Sequence, residues 1–195
     1  MKRILFLLII FSQYTFSQYT NINVVKEIRS HNKGMVVSAH PLASEAGAKI
    51  LKKGGNAFDA VIATQFALAV VYPQAGNIGG GGFLIGTTPK GDKIALDYRE
   101  TAPNKASRDM YLDSKGKANT DLSQNGRLAV GVPGSIAGMF YTHHKYGKLP
   151  MASLIQPAID LAEKGFAITD REASLLNATK ADFEKHNSHK TVFTK

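Results

Sequence analysis

From Met35 onward the apolar positions fall into short blocks separated by turn chemistry. Met35-Val36-Val37-Ser38-Ala39 is predicted to be a short strand. Pro41 then opens a helix at the one position where a missing N–H costs nothing. Ala43, Ala46, Ala48, Ile50 and Leu51 give that helix an apolar face of small residues, and Gly54-Gly55 ends it. A second helix is predicted from about Ala57 to Val71, with Pro73 as its stop. Its Ala60, Val61, Ala63, Ala67 and Ala69 are small enough for close neighbours. Phe83 to Thr87 and Lys93 to Tyr98 read as two strands of a hairpin around Pro89-Lys90-Gly91-Asp92. Residues 103–128 are polar, with a helical turn near Ser107 to Leu112. Ala129 to Val132 is predicted as a strand. Helices follow from Ser135 to Tyr146, stopped by Gly147, and from Met151 to Lys164, stopped by Gly165. A last helix runs from a cap at Asp170 to about His186. Strand, two helices, hairpin, strand and helices make an α+β chain with helices layered on an antiparallel sheet. So small a sheet exposes an unpaired edge, which predicts that part of the sheet lies outside this chain.

Composition narrows the class. Of 195 residues, 44% are hydrophobic and 20% charged, a balance that supports a packed core and argues against disorder. Residues 1–17 stand apart. Lys2 and Arg3 precede the apolar run Ile4 to Phe11, and Thr15-Phe16-Ser17 offers small residues at a cleavage site, so this segment reads as a secretory signal. It is too short to span a bilayer. Residues 18–34 read as a flexible lead-in, and 35–195 as the folded part. No later apolar segment is long and unbroken enough for stable membrane insertion. Ala57 to Tyr72 comes closest but carries Asp59 and Gln65. Export is expected, to a periplasm or beyond, yet the chain has no cysteine, so its core must hold without disulfides. The formal charge is +9. The basic residues outside the signal are scattered: Lys180, Lys185, Lys190 and Lys195 recur at a spacing that turns about 140° per step around a helix and builds no stripe. Without interleaved aromatics, nucleic-acid binding is not expected.

Candidate chemistry centres on Asp97-Tyr98-Arg99-Glu100. An apolar strand delivers Arg99 to a loop beginning Thr101-Ala102-Pro103. An arginine flanked by two carboxylates is expected to be a fixed guanidinium fork that binds a carboxylate through two charge-assisted hydrogen bonds. The alternative is a structural ion pair with Asp97 or Glu100. The glycine run Gly79 to Gly82 is not a phosphate cradle, because a helix precedes it and Phe83 stands where a P-loop lysine would. Close backbone approach, at φ values only glycine tolerates, is the expected role. Gly134-Ser135-Ile136-Ala137-Gly138 has the wrong spacing for a nucleophile elbow, and Ser135 is expected to be a helix N-cap. His143-His144 lacks partners at ligand spacing, and both rings are expected on an exposed face, so no metal is predicted. His40 is expected to be structural.

Several segments together resemble the gamma-glutamyltransferases, also called glutathione hydrolases. They are Ala39-His40-Pro41-Leu42-Ala43-Ser44, Gly54-Gly55-Asn56-Ala57-Phe58-Asp59-Ala60-Val61-Ile62-Ala63, Gly79 to Phe83, Asp97 to Pro103, Gly131 to Ser135 and Lys145-Tyr146-Gly147. The similarity runs from Gly34 to the end. It implies an N-terminal-nucleophile hydrolase with an αββα layered fold, of which this chain carries only the first part of the large subunit. It implies a precursor that cleaves itself into two subunits and frees an N-terminal threonine. That threonine's α-amino group, with a pKa of about 7.7–8.0, is suited to act as base near neutrality. The acyl-enzyme formed from a γ-glutamyl amide such as glutathione is then resolved by water or by an amino-acid or dipeptide acceptor. No cofactor is implied. Arg99 matches the family's arginine for the donor's α-carboxylate. Thr101, Thr169 and Thr179 do not match the nucleophile, so no catalytic residue is assigned here and the chain alone is expected to be inactive. It would need the remainder of the large subunit and the small subunit. The rivals are a β-lactam acylase or capsule-linking transpeptidase of the same superfamily, and a non-catalytic exported binding module or pseudogene product.

Overall fold

A computed structural model describes residues 34–76 and 78–187. The expected signal, almost all of the lead-in, Lys190 and Lys195 lie outside the described residues.

The centre is α2 (Ala57–Val71), a helix apolar on nearly every side. Such a helix is stable only when neighbours surround it. Its start is fixed by a capping box: the Asn56 side chain accepts the Asp59 N–H, and the Asp59 carboxylate accepts the Asn56 N–H, both at 3.0 Å. α1 (Pro41–Lys52) packs along one flank and buries Ala43, Ala46, Gly47 and Ile50, spaced at helical period. A Cβ on Gly47 would stand 3.0 Å from the Ala60 carbonyl, so glycine here permits the close approach of α1 to α2.

Further along the chain come β1 (Phe83–Thr87), β2 (Lys93–Asp97), a short α3 (Thr120–Gln124), α4 (Ser135–Tyr146), α5 (Met151–Lys164), α6 (Asp170–Ala178) and α7 (Lys180–His186). Ile50, Ile62, Phe66, Met139, Leu154 and Ala158 join α1, α2, α4 and α5 in one core. Burial of each large member contributes about 1.5–3 kcal/mol. Asp59, fully buried, also accepts the N–H groups of Lys148 and Leu149 at 2.9 and 3.3 Å, which ties the α4–α5 loop to the start of α2. Phe58 stacks on Tyr146 with ring centroids 4.9 Å apart, and the Asn56 amide donates to the Tyr146 carbonyl.

β1 and β2 form an antiparallel hairpin with Leu84 opposite Leu96 and Ile85 opposite Ala95. One face, carrying Leu84 and Gly86, lies toward the helices, where Gly86 meets the Phe58 ring. The other face leaves Phe83 and Ile85 64% and 89% exposed.

Four sequence expectations are corrected. Met35 to Ala39 is not a strand, because no neighbour among the described residues offers it a ladder. Ala129 to Val132 is likewise not one: Arg127–Ala129 is a 3-10 turn, and only Val132 pairs, in a single antiparallel bridge to Thr101. The last helix begins one residue earlier than expected, with Thr169 as cap in a capping box with Glu172, and it breaks at Thr179 into α6 and α7. Residues 120–124, read as loop, form α3 around an Asn119 cap.

Candidate functional site

β2 ends at Asp97, but the pairing continues one step further. The Tyr98 N–H donates to the Gly82 carbonyl at 3.0 Å, and the Gly82 N–H donates weakly back at 3.4 Å. Beyond Tyr98 the chain turns. Asp97 Oδ1 accepts the Arg99 N–H at 2.9 Å, an Asx turn that closes the strand end. Thr101 then exchanges two backbone hydrogen bonds with Val132, at 3.2 and 2.9 Å. These contacts fix Arg99 at the backbone on both sides.

Glycines pack the segment from either flank. A Cβ on Gly81 would lie 2.6–2.7 Å from the backbone of Arg99 and Glu100. One on Gly134 would overlap the Tyr98 carbonyl. Gly81 and Gly82 have no positive φ, so close approach alone demands glycine there. The expected conformational reason is thereby corrected. Gly80 anchors the other partner: its carbonyl accepts the N–H groups of Gly134 and Ser135 at 2.9 and 3.0 Å. The glycine run, the Tyr98–Thr101 segment and the first turn of α4 therefore meet at one place.

The Arg99 side chain is exposed, and among the described residues no carboxylate stands within ion-pair distance of it. The alternative, a structural ion pair with Asp97 or Glu100, is not found among the described residues, and the flanking carboxylates do not fix the fork. Asp97 spends its carboxylate on the Arg99 backbone N–H, and the fork has no carboxylate partner among the described residues.

The other candidates resolve into structural roles. Ser135 is buried at the first position of α4, and its N-cap is Gly134. Sequence reasoning placed the cap one residue late because the Gly80 carbonyl, not a side chain, satisfies this helix start. His143 is not on a free face: its Nε2 lies 2.7 Å from the Leu149 carbonyl, while His144 is exposed. His40 caps α1 by accepting the Leu42 N–H at Nδ1, and its Nε2 lies 3.1 Å from Glu172 Oε1. The Thr169 backbone N–H and hydroxyl hold the Glu172 carboxyl below its ordinary range, with His40 adding to the effect. Thr169 and Thr179 hydroxyls bond local backbone. Two cavities, of about 290 Å³ between α1 and α5 and about 70 Å³ beside Tyr72 and Phe166, lie away from Arg99.

Sequence reasoning missed Tyr98. Its ring, partly buried, lies across Gly82 and against Gly138, where a Cβ would overlap it. Burial pushes the Tyr98 phenol pKa up. The available signal was Gly134 and Gly138, four apart on one helix, which leave a bare strip for a large side chain.

The family model of gamma-glutamyltranspeptidase matches residues 43–195. The chain belongs to the gamma-glutamyltranspeptidase family. It is 49% identical over 156 residues to a glutathione hydrolase proenzyme of Pseudomonas sp. (strain A14), covering 80% of this chain and 27% of that protein. It is 43% identical over 164 residues to the glutathione hydrolase proenzyme of Escherichia coli (strain K12), covering 84% of this chain and 28% of the relative. Among solved structures it resembles the gamma-glutamyltranspeptidase of Helicobacter pylori, with a TM-score of 0.80 and 47% identity over 87% of this chain and 50% of that one. The chain thus spans about a quarter of the length of these curated relatives. The fold is that of the family's N-terminal-nucleophile hydrolases, of which the described residues supply a helical layer and one hairpin.

Proposed function

We propose that this chain forms the donor-recognition part of an exported gamma-glutamyltransferase that acts on glutathione and related γ-glutamyl compounds. Arg99 grips the α-carboxylate of the γ-glutamyl group through two parallel N–H···O bonds. The observation that carries this reading is the free guanidinium on a backbone pinned by Asp97, Gly81 and Thr101. A site is effective when its scaffold is rigid and its recognising group unspent.

The nucleophilic threonine, the remainder of the large subunit and the small subunit belong to further polypeptide in this proposal. The outward face of the hairpin, with Phe83 and Ile85 exposed, is available to another layer of that assembly. Residues 1–17 serve as the export signal, 18–34 as a lead-in, and 35–195 as large-subunit sequence. The proposed location is periplasmic or secreted, and rests on the signal-like residues 1–17. The acyl group passes to water or to an amino-acid or dipeptide acceptor.

The test is Arg99→Lys in the assembled enzyme. A charge-assisted pair is worth about 1.5–3 kcal/mol, so KM for a γ-glutamyl donor should rise roughly 10- to 100-fold. Lysine keeps the charge but loses the planar fork. Unchanged kinetics would remove Arg99 from the site. A preference for β-lactam acyl donors over glutathione would move the enzyme to an acylase specificity.

A further inference from the structure

Resting on the reading of Arg99 as the donor anchor, we infer that Tyr98 is the positioning residue of that arginine, and that the bare strip on α4 is its seat. Three observations converge. The Tyr98 ring is wedged between Gly82 and Gly138: a Cβ on Gly82 would stand 2.9–3.2 Å from the outer ring atoms and hydroxyl, and one on Gly138 would overlap the ring base. The Tyr98 carbonyl lies against Gly134, one turn earlier on the same side of α4. The Tyr98 N–H is the last in the hairpin ladder, bonded to the Gly82 carbonyl at 3.0 Å. Ring and carbonyl both lie against α4 and the N–H is held by the glycine run, and Arg99 is the next residue.

The consequence is mechanical. The Arg99 backbone has little freedom of its own, because moving it requires withdrawing the Tyr98 ring from α4. α4 is in turn fixed to the core through Met139 and Thr142, 4% and 1% exposed. The guanidinium is therefore placed by a chain of packing that runs from the helical core through α4 and Tyr98, and not by a carboxylate partner. The hydroxyl has no part in this. The ring does, so phenylalanine should serve as well as tyrosine. Any Cβ at Gly138 should displace the ring and, with it, the arginine.

The experiment compares two donors in the assembled enzyme: a γ-glutamyl anilide, and the butyryl anilide that lacks only the α-amino and α-carboxylate groups. Tyr98→Ala and Gly138→Ala should each raise KM for the γ-glutamyl donor about 10-fold or more while altering kcat far less. Neither should change KM for the butyryl donor. Tyr98→Phe should restore the wild-type preference. Should Gly138→Ala fail to fold, Gly82→Ala intrudes only on the rim of the ring and should give a smaller loss of the same kind. A wild-type enzyme indifferent to the two donors would overturn the Arg99 reading, and this proposal with it. A wild-type enzyme that prefers the γ-glutamyl donor, with Tyr98→Ala and the glycine variant keeping that preference, would overturn the positioning role alone. Loss of kcat on both donors would also overturn it, since that marks general damage to the fold.

Discussion

The helical layer and the hairpin are built on opposite terms. In the layer, Ile50 and Leu154 are fully buried and α2 has neighbours on nearly every side. Even its buried carboxylate, Asp59, is satisfied by three backbone N–H groups. The hairpin buries one face on Phe58 and leaves the other apolar and open, with Ile85 89% exposed. Stability therefore resides in the helices. The proposed recognition site lies where the hairpin ends, at a loop that the helices hold by its backbone while its charged tip has no carboxylate partner among the described residues. Stable scaffold and unspent side chain are separate because a group already satisfied inside the fold has little left to offer a ligand.

The strongest test of this division is Leu154→Ala. Emptying a fully buried site in the layer should lower the unfolding free energy by about 2–5 kcal/mol, read from urea denaturation of the chain followed by circular dichroism. A change under about 1 kcal/mol would show that the layer is not the stable part.

A smaller effect is expected at the clasp between α1 and α6. The folded state holds the Glu172 carboxyl below its ordinary range, chiefly through Thr169. Its contribution is present above the unfolded carboxylate pKa of about 4.3 and is lost as pH falls through the lower folded value. The melting temperature of Glu172→Gln should lie below that of the wild type at pH 7, and the two should converge on acidification. A gap that widens in acid would contradict the assignment.

The smallest effect sharpens the contrast within a single strand. Ile85→Thr, on the open face, should change stability by no more than about 0.5 kcal/mol, whereas Leu84→Ala on the buried face should cost about 2 kcal/mol. Equal costs at the two neighbours would mean that the outward face is covered in the isolated chain.

The sequence made the helical layer legible because its boundaries are written in residues that act locally. Pro41, Gly54-Gly55, Pro73, Gly147 and Gly165 start and stop helices by their own backbone chemistry. The hairpin was legible for the same reason, through Pro89 to Asp92. What failed depended on partners distant in the chain. Met35 to Ala39 has strand composition but no ladder among the described residues. Gly134 is capped by the Gly80 carbonyl, a contact across more than fifty residues that no local pattern announces. His143 was read from its neighbours in sequence, yet its ring is held by the Leu149 carbonyl across the turn. At the site, Arg99 was legible from residue type. How it is held was not: flanking carboxylates suggested an ionic clamp, while the fold uses glycines and an aromatic ring brought together from three segments.

The most direct measurement is a crystal structure of the assembled enzyme with glutamate bound. The account expects the Arg99 guanidinium to make two hydrogen bonds of about 2.7–2.9 Å to the ligand's α-carboxylate, with the Tyr98 ring still seated against Gly138. A ligand carboxylate held elsewhere, with Arg99 sealed from it or paired to a protein carboxylate, would contradict it.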